Sequence, residues 1–161
     1  MTRISVKKKV REILTSFLEV NQLRKTPERY AILEAIYDME GHFTLEELGG
    51  ILEKSNFRVS RATLYNTMKL FIEMRLVIRH RFIGRTMYEA CYRNENHIHQ
   101  VCTVCGKVKE EAFPDISDAI NNARLKRFRR DGFTLYIYGI CSTCQARITR
   151  KKNRMKKSET K

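Results

Sequence analysis

Two cysteine pairs of identical spacing, Cys102-Thr-Val-Cys105 and Cys141-Ser-Thr-Cys144, constrain this chain more than any other feature. Paired C-x-x-C units in a reducing compartment point to zinc rather than to disulfides. Two such knuckles offer four thiolates, the closed tetrahedral set of a structural zinc site. Their separation is longer than in a minimal zinc ribbon and leaves room for a helix. The opposing readings are unrelated core cysteines or a redox pair, and the repeated spacing weighs against both. A cytoplasmic location is expected, since the N-terminus lacks the apolar core of a secretory signal. No apolar run approaches the roughly 18 residues of a membrane span, so no membrane partner is expected.

Charge narrows the partners. The 161 residues carry 32 Lys and Arg against 18 Asp and Glu, a net +14. Such an excess implies a polyanion, either nucleic acid or an anionic membrane surface. Residues 145–161 hold eight of the basic residues and one acidic residue, Glu159. That stretch has no apolar periodicity and is expected to be a disordered basic tail, with a merely solubilising terminus as the alternative.

The first half has the pattern of a winged helix. Val10, Ile13, Leu14, Phe17 and Leu18 repeat at helical spacing. Thr26-Pro27 opens a second helix with Tyr30, Leu33, Ile36 and Tyr37 as its buried stripe, ended by Gly41. Thr44 and Glu47 form a capping box for a third, whose Gly49 and Gly50 suggest close helix packing. Ser60 caps a fourth helix with Leu64, Met68, Phe71 and Ile72 inward. Its other side shows Ala62, Tyr65, Asn66 and Lys69, with Arg61 near the N-terminal end. A polar second face on a helix-turn-helix suits base edges in a major groove, although any surface helix has a polar face. The hairpin that follows, turning at Gly84, carries Arg79, Arg81 and Arg85, as expected of a wing lying along phosphates.

The second half alternates differently. Strands are expected from Ile98 to Thr103, from Lys107 to Phe113 and from Phe133 to Ile140. A helix from Pro114 turns Ile116, Ala119, Ile120 and Ala123 inward. Three short strands leave exposed edges that pairing across a two-fold axis would cover. His97 and His99, two apart on a strand, face one way and suit two ligands of one metal, or else are surface histidines. Glu110 on the neighbouring strand, Glu89 at the end of the wing and His42 between helices two and three would complete a mixed nitrogen and oxygen set. A set drawn from both halves would bind its ion best in one relative arrangement and so act as a switch.

These residues resemble the ferric uptake regulator (Fur) family of bacterial metal-dependent transcription factors, from about Leu23 to Cys144. The resemblance rests on Thr26-Pro-Glu-Arg29, Gly41-His42 and Ala62-Thr-Leu-Tyr65. Two longer strings are the specific ones: His97-x-His99-x-x-Cys102-x-x-Cys105-Gly-Lys107 and Tyr136-Ile-Tyr-Gly139-x-Cys141-x-x-Cys144. It implies an α+β fold with an N-terminal winged helix-turn-helix and a small α/β dimerisation domain. Structural zinc would sit on the four cysteines and a regulatory metal on His42, Glu89, His97, His99 and Glu110. Tyr65 matches the family's recognition tyrosine, and Thr63 lies in the matching segment. Asn66 replaces the family's usual arginine, which puts the usual operator in doubt. Asn96, Ile98 and Phe133 stand where the family often has donors for a third metal site, so that site is expected to be absent.

The resulting expectation is a homodimeric metal-responsive repressor of a palindromic double-stranded DNA operator. Residues 1–90 form its DNA-binding domain, 91–96 a hinge, 97–144 the dimerisation and metal-binding domain, and 145–161 the tail. Ferrous iron is the expected regulatory ion, since a glutamate-rich set suits iron or manganese. A thiolate from Cys91, two residues past Glu89, would favour zinc instead; Cys91 is otherwise a core thiol. Peroxide sensing by metal-catalysed oxidation is the third reading within the family, behind iron and zinc because the wing ends in glutamate and the set has no aspartate. The chain is not expected to be an enzyme, because a hydrolytic metal site needs an open position holding water. The remaining rival is a zinc-stapled nucleic-acid-binding protein without metal sensing.

Overall fold

The computed structural model describes residues 3–82, 84–91, 98–130 and 132–159. Its contacts divide it into two compact units, Met1–Arg81 with Arg85–Asn94 and Phe82–Gly84 with Glu95–Lys161.

Four helices and a hairpin make up the first unit: α1 (Arg3–Val20), α2 (Pro27–Asp38), α3 (Leu45–Lys54), α4 (Arg61–Glu73), β1 (Val77–Phe82) and β2 (Arg85–Ala90). In α1, Val6, Val10, Leu14 and Leu18 are buried at a strict four-residue interval, while Ile13 is only partly covered. These side chains share one core with Ile32, Leu33, Ile36 and Tyr37 of α2, Leu48 and Leu52 of α3, and Leu64, Met68 and Phe71 of α4. The Tyr37 hydroxyl donates to the Leu76 carbonyl at 2.8 Å, so the one polar atom of that buried ring is satisfied.

Helix boundaries follow local chemistry. The capping box at Thr44 is complete, with Glu47 N–H donating to the Thr44 hydroxyl and Thr44 N–H to the Glu47 carboxylate. Ser60 caps α4 through Thr63 N–H. Thr26 occupies the cap position of α2 but its hydroxyl accepts no cap hydrogen bond, so Pro27, with its preset φ, starts that helix. Three helices end alike. Gln22, Asn56 and Arg75 adopt left-handed φ of 52°, 57° and 54°. The next residue in each case donates five positions back: Leu23 to Leu18, Phe57 to Leu52, Leu76 to Phe71. This is the Schellman closure, and the acceptor residues Leu18, Leu52 and Phe71 all belong to the core.

Gly49 and Gly50 do not serve close packing. A Cβ on Gly49 would meet Leu64 at an ordinary 3.9 Å, and one on Gly50 would meet nothing within 4 Å.

In the second unit, β3 (Ile98–Cys102) is the central strand of a sheet ordered β4-β3-β5, with β4 (Val108–Glu111) antiparallel and β5 (Leu135–Gly139) parallel to it. The parallel pairing requires a crossover, which contains α5 (Pro114–Asn122). The α5 stripe behaves differently from its sequence expectation. Ser117 is its buried residue, Ile120 is half-buried, and Ile116, Ala119 and Ala123 are exposed. An apolar stripe makes burial favourable without specifying which molecule provides it.

The expectation of a disordered tail is also corrected. Residues Ser142–Glu159 form a continuous helix, α6. It starts within the second cysteine knuckle, so its first turn is fixed by Cys144, and helix elongation from a fixed nucleus is favourable for a Lys- and Arg-rich segment without Gly or Pro. No helix among the described residues is long and apolar enough to cross a membrane.

Candidate metal centres and nucleic-acid interface

Strand register assembles the thiol cluster. Cys102 at the end of β3 pairs with Gly139 of β5, two residues before Cys141, and Thr103 N–H donates to the Gly139 carbonyl at 2.8 Å. The first knuckle is a tight turn in which Gly106, at φ 70°, donates to the Cys102 carbonyl. Both knuckles therefore lie at the same end of the sheet, and the sulfurs of Cys102, Cys105, Cys141 and Cys144 all fall within 4.8 Å of one another. None is in a disulfide.

The spacing fits zinc. A tetrahedron with Zn–S of about 2.3 Å separates its sulfurs by about 3.8 Å, and Cys105 Sγ lies 3.8 Å from Cys141 Sγ. The thiols are electrostatically unequal. Hydrogen bonding from the Cys141 backbone N–H, then from that of Cys105, lowers Cys102 to about 6. Burial, and hydrogen bonds in which its S–H donates to the other cysteine sulfurs, raise Cys144 to about 12. One sulfur thus takes the negative charge and its neighbour keeps a proton, because four adjacent thiolates repel one another. A dication removes that conflict, which is why such a donor set deprotonates on metal binding.

A second cluster lies within the first unit. Phe43 and Tyr88 form a two-hydrogen-bond bridge, Phe43 N–H to Tyr88 O at 2.9 Å and Tyr88 N–H to Phe43 O at 2.8 Å. That bridge ties the loop after α2 to β2 and sets His42 beside Glu89. On β1, the exposed Arg79 and Arg81 flank His80, whose ring therefore points inward. His80 Nε2 is 2.9 Å and His42 Nε2 is 3.7 Å from Glu89 Oε2. The two imidazoles meet edge to face at 4.8 Å. Glu89 and His80 are almost wholly buried. Cis ligands about 2.1 Å from one ion stand roughly 3.0–3.5 Å apart, so these two nitrogens and one carboxylate need only small adjustments to share a divalent cation.

His80 was not expected here. The signal was present in Arg79-His80-Arg81, since two outward arginines on a strand force the residue between them inward. His99, on β3, is buried against the Tyr136 ring at 5.2 Å, with Glu110 its cross-strand partner. Glu110 is exposed. His97 lies outside the described residues. Cys91, half-buried after β2, joins neither cluster of the described residues. Burial raises its thiol above the ordinary value, partly opposed by Arg75, which disfavours the thiolate a metal would require.

The face of α4 is available to a partner. Arg61, Ala62, Tyr65, Asn66 and Lys69 are exposed, Tyr65 at 61% despite its size. Thr63 is half-buried, with its hydroxyl 2.8 Å from that of Ser60, so it shapes the cap as well as the surface. Arg79, Arg81 and Arg85 on the hairpin are exposed too.

A helix-turn-helix with a basic wing, joined in one chain to a four-cysteine zinc-type cluster, defines a metal-binding winged-helix protein. The family model described as the ferric uptake regulator family matches residues 20–138, and the chain belongs to that family. The peroxide operon regulator of Bacillus subtilis is 29% identical over 136 residues, covering 84% of this chain and 92% of that protein. The solved ferric uptake regulator of Pseudomonas aeruginosa with manganese superposes with a TM-score of 0.66 at 26% identity, covering 80% of this chain and 97% of its own. That of Helicobacter pylori reaches 0.70 at 21% identity, covering 90% and 97%, and supports the fold.

Proposed function

We propose that this protein is a cytoplasmic, homodimeric, metal-responsive repressor that binds double-stranded DNA. The observation that carries the metal-responsive part is the buried His42–His80–Glu89 cluster. A carboxylate shut away with two imidazoles is costly unless paired, and the same three groups form a nitrogen and oxygen donor set suited to ferrous iron or manganese. His97, His99 and Glu110 remain in the proposal as donors from the second unit, on the strength of the sequence match. The metal supplies positive charge that the donors share, and His42, His80 and Glu89 hold it.

The DNA-binding part rests on the exposed face of α4. Arg61, Tyr65, Asn66 and Lys69 would read and contact the duplex, with Thr63 at the cap and Arg79, Arg81 and Arg85 on phosphates. The dimer rests on the uncovered apolar side chains of the second unit, among them Ile116, Ile137, Tyr138 and Ile140. A second copy would bury them and the free edge of its sheet.

A second reading, peroxide sensing through the same cluster, is favoured by the Bacillus subtilis relative. One experiment separates the readings. Protein carrying only its thiolate-bound zinc is titrated anaerobically with Fe(II) or Mn(II), and selection from a random duplex pool is scored with and without metal. Metal-dependent enrichment of a palindrome supports the repressor. An oxygen adduct on a cluster histidine after peroxide treatment of the iron form would favour peroxide sensing. Metal-independent binding leaves a zinc-stapled DNA-binding protein and overturns the sensing role.

A further inference from the structure

Helix α6 carries more charge than its place in the fold accounts for. Residues 142–159 contain seven basic residues, Arg147, Arg150, Lys151, Lys152, Arg154, Lys156 and Lys157, and one acidic residue, Glu159. Arg147, Arg150, Lys151 and Arg154 are spaced i, i+3, i+4 and i+7, which places them on one helical face over about 10 Å. All four are exposed, and none has an ion pair among the described residues. The helix macrodipole favours cations in the last turn only. Arg147 and Arg150 lie in the first half of α6, where the dipole gives them no support.

We propose that this Arg147–Arg150–Lys151–Arg154 stripe is a sequence-independent docking surface for the DNA phosphate backbone, held in place by the thiolate cluster at the base of α6. The inference rests on the DNA-binding reading of the protein and adds a second contact surface to it. Duplex DNA presents one negative charge per about 1.7 Å of axis, so a 10 Å basic row meets several phosphates. Charge complementarity selects this partner over a membrane. A membrane-surface helix needs a broad apolar face with Trp, Phe or Leu, whereas the apolar side chains along α6 past Cys144 are Ala146, Ile148 and Met155. The anchoring matters because Cys144 is buried in the first turn of α6. A row of cations on a formed helix loses less conformational freedom on binding than the same cations on a coil.

The test is a full-length, zinc-loaded variant with R147Q, R150Q, K151Q and R154Q, substitutions that keep helix propensity. Zinc content and far-UV circular dichroism establish that it is folded. Affinity for a random-sequence duplex is measured against salt concentration for both proteins. Each lost phosphate contact lowers the slope of log K against log salt by about 0.9, so the variant slope is expected to fall by about 3–4 per chain. The ratio of affinities for a metal-selected duplex and the random duplex should stay unchanged. An unchanged slope overturns the proposal, as does binding of wild type to phosphatidylserine vesicles accompanied by an unchanged DNA slope. Loss of slope in a protein that selects no sequence in any metal would sink the repressor reading while leaving the α6 surface standing.

Discussion

Replacing His80 with glutamine tests whether the His42–His80–Glu89 cluster is a metal site or only a buried polar pair. Glutamine keeps an N–H donor for Glu89, which His80 Nε2 approaches to 2.9 Å, but removes the imidazole nitrogen. In protein holding only its thiolate-bound zinc, the cost is one altered hydrogen bond in a buried site, about 1–2 kcal/mol. The metal-bound state loses more. Even an outer-shell partner of a metal ligand is worth about 10–100-fold in affinity, and a direct ligand is worth at least the upper end. At a Mn(II) concentration 100 times the wild-type dissociation constant, metal stabilises the fold by about 2.7 kcal/mol. A 100-fold weaker site at that concentration contributes only about 0.4 kcal/mol. Urea unfolding with and without Mn(II), followed by circular dichroism, measures this increment directly, and zinc analysis shows whether the thiolate site is intact. The expected result is a near-complete loss of the Mn(II) increment in H80Q. An increment equal to wild type would refute the assignment of His80 as a ligand.

Other consequences are checked more simply. Cys141→Ser leaves three thiolates in a cluster sized for a tetrahedral ion, so elemental analysis should show zinc lost under mild chelation; retention of full zinc would contradict the four-thiolate site. Gly50→Ala places a Cβ in open space on α3 and should stabilise the protein by about 0.5–1 kcal/mol, a rise in melting temperature of a few degrees by calorimetry. Ser60→Ala removes the cap of α4 and should cost about 1 kcal/mol in urea unfolding. Tyr65→Ala, at a position 61% exposed, should leave stability within about 0.5 kcal/mol. It should weaken binding to a metal-selected duplex by about 1–3 kcal/mol while sparing random DNA, measured by fluorescence anisotropy.

Local interactions were the legible part of the fold. The Thr44–Glu47 box and the Ser60 cap depend on residues three apart, so sequence spacing alone specifies them. The same holds for the cysteine knuckles, whose x-x spacing is a ligand geometry in itself. What brings the two knuckles together is the parallel pairing of β3 with β5, in which Cys102 faces Gly139. That register is long-range and was not legible beforehand. The Phe43–Tyr88 bridge that sets His42 beside Glu89 is another long-range contact of this kind. The family resemblance implies His42 and Glu89 as ligands, but the reason for their proximity is not legible in the sequence.

Helices α5 and α6 show two different ways in which polarity patterns mislead. The α5 stripe is apolar as its sequence predicts, but Ile116, Ala119 and Ala123 are exposed in their own chain. Amphipathicity reports that burial is favourable and is silent about which molecule provides it. In α6 the absence of an apolar stripe predicts no helix. Tertiary packing supplies most helical stability when a segment must nucleate itself, so a polar segment is normally a poor candidate. Here Cys144 anchors the first turn in the thiolate cluster, and the Lys and Arg residues beyond it have good intrinsic propensity. The four-cysteine site therefore does more than join two knuckles. It turns a polar sequence into an ordered row of positive charge, and loss of zinc should weaken that order along with the site.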